Sequence, residues 1–112
     1  MKLRFRAGRT SKERFVLRHK TPFSDPDIEF INSEVYTIDS ISIEVNGNNW
    51  AYPTEIAMVQ REVVYGNKTY DATEFVITPP SDDLTAMVDD VLFDAEIILN
   101  GEFIESAEVI VE

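Results

Sequence analysis

Apolar and polar residues alternate with a period of two along most of this chain, the spacing that a strand with one buried face requires. In Lys2-Leu3-Arg4-Phe5-Arg6 the two apolar side chains share one face and the three cations the other. Gly8 interrupts the run, and Phe15-Val16-Leu17 resumes it with Arg14, Arg18 and Lys20 around it. Residues 21–27, with Pro22, Pro26, Asp25 and Asp27, read as a loop. Residues 35–45 predict a long strand with Val35, Ile41, Ile43 and Val45 on one side, closed by a turn at Asn46-Gly47-Asn48-Asn49. Residues 55–65 and 69–78 predict a hairpin around Gly66-Asn67, with Phe75 and Ile77 inward, until Pro79-Pro80 stops it.

One short helix interrupts the strands. Ser81 suits the N-cap, Asp82 and Asp83 suit the positive end of the helix dipole, and Leu84, Met87 and Val88 fall at helical spacing. Beyond it, Val91, Phe93, Ala95, Ile97 and Leu99 predict one face of a strand. Asn100-Gly101 is a type I′ hairpin dipeptide, and residues 103–111 return with Ala107, Val109 and Val111 inward. About seven strands at spacings near 8–12 residues, with one helix late in the chain, predict an all-β sandwich with Greek-key connections. No repeat, linker or low-complexity tract divides residues 1–112, so a single domain is expected.

Composition sharpens this picture in two ways. Cysteine is absent, so the fold relies on no disulfide, cysteine-zinc site or thiol nucleophile. The charge is unevenly placed: residues 1–22 carry eight Lys/Arg against Glu13 alone, while residues 23–112 carry Arg61 and Lys68 against twenty acids. A basic N-terminal strand or arm of +7 thus precedes an acidic body of −18. The opening residues lack an apolar leader core, and no apolar run reaches the length of a membrane span, so assembly in a cytoplasm without membrane insertion is expected. On that expectation the Asn67-Lys68-Thr69 sequon has no glycosylating compartment to act in.

Candidate chemistry is sparse. His19, between Arg18 and Lys20, has no orienting carboxylate nearby in sequence, and no serine stands on a Gly-x-Ser-x-Gly elbow. Asp25, Asp27 and Glu29, and the set Asp82, Asp83, Asp89, Asp90 and Asp94, offer oxygen ligands for calcium, but neither group has EF-hand spacing, and solvated acids are the expected reading. No phosphate-cradling glycine loop is present. The expectation is therefore no enzymatic activity, no cofactor and no metal. Arg4, Arg6, Arg9, Lys12, Arg14 and Arg18 have the charge to contact phosphates, yet the acidic body opposes nucleic acid, and Phe5 and Phe15 suit a core better than a base-stacking platform.

A protein partner accounts for the bipolar charge more simply. Lys2, Arg4, Arg6, Arg9, Lys12, Arg14 and Arg18 are the candidate contact residues, against the alternative that they neutralise acids of their own domain. Trp50 and Tyr52, after the turn at 46–49, are read either as an exposed recognition loop or as packing at the edge of the core.

Two stretches resemble known proteins. Leu84-x5-Asp90-x2-Phe93-x-Ala95 is similar to the immunoglobulin pattern that precedes the strand-F cysteine, with phenylalanine in place of the tyrosine and alanine in place of the cysteine. Phe75-Val76-Ile77-Thr78-Pro79, Leu84, Val91-Leu92-Phe93-Asp94-Ala95-Glu96-Ile97 and the Asn100-Gly101 turn resemble the small Ig-like modules of tailed-bacteriophage virions, and Leu3-Arg4-Phe5-Arg6-Ala7-Gly8 is similar to how some of them begin. The resemblance implies an Ig-like fold without catalytic residues. It implies an accessory structural module of the virion, on capsid, neck, tail or baseplate, that contacts other virion proteins or copies of itself on a symmetric assembly. Two other classes stand beside it: an acidic binding or inhibitor protein that mimics nucleic acid, and a small hydrolase, which would need a deep pocket with convergent polar groups.

Overall fold

The alternating positions become strands whose inward residues are the ones the pattern marks. The computed structural model describes residues 1–18, 30–88 and 91–112. Among these the elements run β1 (Lys2–Phe5), β2 (Glu13–Phe15), β3 (Ile41–Val45), β4 (Asn48–Ala51), β5 (Ile56–Tyr65), β6 (Lys68–Ile77), α1 (Ser81–Ala86), β7 (Phe93–Leu99) and β8 (Glu102–Val111). They form a five-stranded sheet, β1-β8-β7-β3-β4, and a three-stranded sheet, β2-β6-β5. β1 runs parallel to β8, and every other pairing is antiparallel. The chain passes between the sheets after β1, β2, β4 and β6, which gives the strand order of an immunoglobulin-type sandwich.

The core lies between the sheets. Leu3, Phe5, Ile43, Val45, Trp50, Ile97, Val109 and Val111 from the larger sheet meet Phe15, Ile56, Phe75 and Ile77 from the smaller. Phe15 and Phe75, paired in register, stack at 5.4 Å between ring centroids. Leu84 and Met87 are fully buried, so the α1 region closes the core with one apolar stripe.

Several local expectations are corrected. Residues 35–40 are not strand: Asn32 Oδ1 accepts the Glu34 N–H at 3.0 Å, and the Val35 and Tyr36 amides donate to the Asn32 carbonyl, so a turn forms and Val35 is exposed. The strand begins only at Ile41. The turn at 46–49 is tighter than predicted. Asn46 and Gly47, with φ of 49° and 78°, make a two-residue connection, and Asn48 and Asn49 belong to an eighth strand, β4. Ser81 is the first helical residue, Pro80 takes the N-cap position, and no side chain caps the helix. Val88 and Val91 are exposed, and β7 starts at Phe93. The Asn100-Gly101 hairpin is as expected, both residues having positive φ.

Candidate interaction surface

β1 is held at the margin of the larger sheet because its alternation buries Leu3 and Phe5 and leaves Lys2 and Arg4 in solvent. It is no loose arm. Its register on β8 sets Lys2 beside Glu108 and Arg4 beside Ile110, and the main chain beyond it is tied down when Ala7 N–H donates to the Glu112 carbonyl at 2.9 Å. Residues 6–12 then cross to the smaller sheet, closed by the Arg6 N–H to Ser11 Oγ bond at 3.1 Å.

The seven candidate cations divide into two groups. Arg4 pairs with Glu112 at 3.2 Å, both side chains largely exposed. Arg14 and Arg61 flank Glu74, whose side chain is only 10% exposed; Arg14 lies 3.6 Å from it and Arg61 is hydrogen-bonded to it. The Arg18 guanidinium sits 4.2 Å above the Tyr65 ring, a cation–π contact. These three are committed within the domain. Lys2, Arg6, Arg9 and Lys12 are exposed and make no ion pair among the described residues.

Trp50 is removed from the candidate surface. It is 1% exposed, its ring meets Phe5 edge to face, and its Nε1–H donates to Asp83 Oδ2 at 2.9 Å. The apolar ring belongs to the core, and the carboxylate of α1 takes up its one polar atom. Tyr52 is exposed at the end of β4, ahead of a cis peptide bond to Pro53.

The sandwich also assembles a feature that strand patterns alone do not reveal. On the outer face of the larger sheet, Glu44 of β3 lies opposite Glu96 of β7, and Asp94 of β7 lies opposite Glu108 of β8. All four are exposed, and none forms an ion pair among the described residues. Like charges directly opposed across strands destabilise a sheet. Glu44, Asp94, Glu96 and the 45–49 turn line an open cleft of about 440 Å³. Each residue sits at an ordinary outward position; only the strand order β8-β7-β3 gathers them.

For metals, no group of three or more ligating side chains comes together among the described residues. Asp83 is engaged by Trp50, and Asp82 and Asp94 lie on different elements. His19, the loop at 21–27 with Asp25 and Asp27, Glu29, Asp89 and Asp90 lie outside the described residues. Among the described residues, no helix is long and apolar enough to cross a membrane. Comparison with protein-family models, with curated proteins and with solved structures finds no match to this chain.

Proposed function

We propose that this domain is a structural, non-enzymatic virion protein of a tailed phage, an accessory module that attaches to capsid, neck, tail or baseplate through protein contacts. The observation that carries the reading is the division of the cations. Lys2, Arg6, Arg9 and Lys12, on the β1–β2 side, have no ion partner among the described residues, and neither have the four carboxylates of the outer sheet face. Exposed charges of both signs, without ion partners among the described residues, suit contacts that steer and orient a neighbour. The Ig-type strand order and the resemblance of the first and last parts of the chain to phage modules support the same reading.

The test is co-sedimentation of the purified protein with phage particles assembled without it. Saturable binding is expected, weakened by salt and lost when Arg6, Arg9 and Lys12 are changed to serine with unchanged melting. Wild-type protein that stays in the supernatant at every concentration would sink the proposal.

One observation favours a second reading, an acidic protein that mimics nucleic acid. Glu44, Glu96, Asp94 and Glu108 form a dense anionic face, as a phosphate mimic requires. That reading expects competition with DNA for a DNA-binding protein, abolished by Glu44→Gln, Asp94→Asn and Glu96→Gln together. Undiminished competition by the triple variant would remove it.

A further inference from the structure

The free margin of the smaller sheet is unlike the other margins of the fold. β1, β2 and β4 are four, three and four residues long, whereas β5 runs for ten. Its ladder to β6 is continuous from Ile56↔Ile77 to Tyr65↔Lys68, with no bulge. No lysine, proline or bulge interrupts it, and its two charged residues, Arg61 and Glu62, are of opposite sign and leave the strand with no net charge to repel a neighbour.

The polarity of that ladder follows from the hairpin. Tyr65 and Lys68 flank the two-residue loop Gly66-Asn67, and the Thr78 N–H donates to the Glu55 carbonyl at 2.8 Å. Odd-numbered residues of β5 therefore bond to β6. The main-chain N–H and C=O groups of Met58, Gln60, Glu62 and Val64 point away from it, with no main-chain partner among the described residues. Val59 and Val64, 50% and 73% exposed, flank this margin with apolar surface.

We infer that β5 pairs antiparallel with β5 of a second copy, joining two three-stranded sheets into one of six strands about a two-fold axis. Self-pairing of one strand demands self-complementarity. An axis normal to the sheet lets only residues of the same face meet, so the centre falls on a single residue facing itself. Centring on Arg61 or Glu62 opposes like charges. Centring on Gln60 sets Val59 against Arg61, Met58 against Glu62 and Ala57 against Val63, with no like charges opposed. That register joins the outward groups of Met58, Gln60 and Glu62 through about six main-chain hydrogen bonds. Charge permits the approach as well: residues 56–77 carry Arg61 and Lys68 against Glu62, Asp71 and Glu74, nearly neutral in a chain of net −11. The inference rests on the geometry of this margin alone and stands apart from the virion reading.

Sedimentation of the full chain over a concentration series tests it, together with two cysteine variants in a background that has no cysteine. A concentration-dependent dimer is expected. Glu62→Pro removes an outward N–H and no bond to β6, so this variant is expected to sediment as a monomer with wild-type circular dichroism. Gln60→Cys is expected to form a disulfide-linked dimer under mild oxidation, because a hydrogen-bonded antiparallel pair sets the two Cα atoms about 5.5 Å apart. Val64→Cys, also at an exposed position but facing Ile56 rather than itself, is expected to cross-link far less. A wild-type monomer at all concentrations, or equal cross-linking at 60 and 64, overturns the inference. Particle binding by a strictly monomeric protein would leave the virion reading intact while removing this one.

Discussion

Phe5 and Trp50 lie on the two outermost strands of the same five-stranded sheet, yet their rings meet edge to face at 5.8 Å between centroids. In a flat sheet four strand spacings would separate β1 from β4 by about 19 Å. The larger sheet therefore curls around the core, and the two aromatic rings close the curl from opposite sides. The contact explains why an apparently basic N-terminal segment is integral to the fold.

Removing either ring should open this closure. Phe5→Ala is expected to destabilise the domain by about 3–5 kcal/mol, measured by denaturant unfolding. Trp50 is the only tryptophan, so fluorescence isolates it. Wild-type emission should be blue-shifted and insensitive to iodide, whereas red-shifted, readily quenched emission would contradict its burial. Asp83→Ala leaves the indole N–H without its partner and should cost about 1–3 kcal/mol.

Asn100 does more than turn the β7–β8 hairpin. Its Oδ1 accepts the N–H groups of Asp39 and Ser40 at 2.7 and 3.1 Å, and its Nδ2–H donates to the Thr37 carbonyl at 2.8 Å. The side chain thereby holds the segment leading into β3. Asn100→Gly keeps the positive φ of 51° accessible and deletes only these bonds. A loss of about 1–2 kcal/mol is expected, with faster amide exchange at residues 37–40. A variant as stable as wild type would show that the turn geometry alone matters.

Glu74 ties the basic segment to the β5–β6 hairpin through Arg14 and Arg61. Its side chain is nearly buried, while both arginines are more than half exposed, so solvent screens part of the interaction. Glu74→Gln should cost about 1–2 kcal/mol. A double-mutant cycle with Arg14→Ala should show positive coupling, and strict additivity would mean that the pair contributes nothing.

Repulsion across the outer face gives a salt dependence with a definite sign. Glu44 faces Glu96 and Asp94 faces Glu108, so screening these pairs stabilises the folded state. The melting temperature of the wild type should rise with added sodium chloride. Glu96→Lys should melt higher than wild type at low salt, and the gap should close as salt increases. A lower melting temperature for Glu96→Lys at low salt would contradict the opposed pairing.

Much of the fold was legible because a half-buried strand writes itself as alternation. Leu3/Phe5, Ile41/Ile43/Val45, Phe75/Ile77, Ala95/Ile97/Leu99 and Ala107/Val109/Val111 were all marked as inward, and all are buried. The hairpins at Gly66-Asn67 and Asn100-Gly101 were equally plain, since residues that accept positive φ announce tight turns. The long strand predicted over 35–45 failed for the converse reason. Alternation is silent about side chains that compete for the backbone, whether locally, as Asn32 does in its turn, or from across the fold, as Asn100 does.

The all-β class, the main turns and the charge polarity are all local properties, readable along the chain because they depend on neighbours within a few residues. Which charges are satisfied depends instead on how the strands assemble. Arg4 and Arg14 meet Glu112 and Glu74 across 108 and 60 positions, while Lys2, Arg6, Arg9 and Lys12 meet no ion partner among the described residues. Strand assembly also took Trp50 out of solvent, gathered Glu44, Asp94, Glu96 and Glu108 on one face, and left β5 as a long margin strand with no second strand partner among the described residues. One cause underlies all of these. Pairing, burial and exposure are properties of strand order and register, which bring together residues that no local pattern relates.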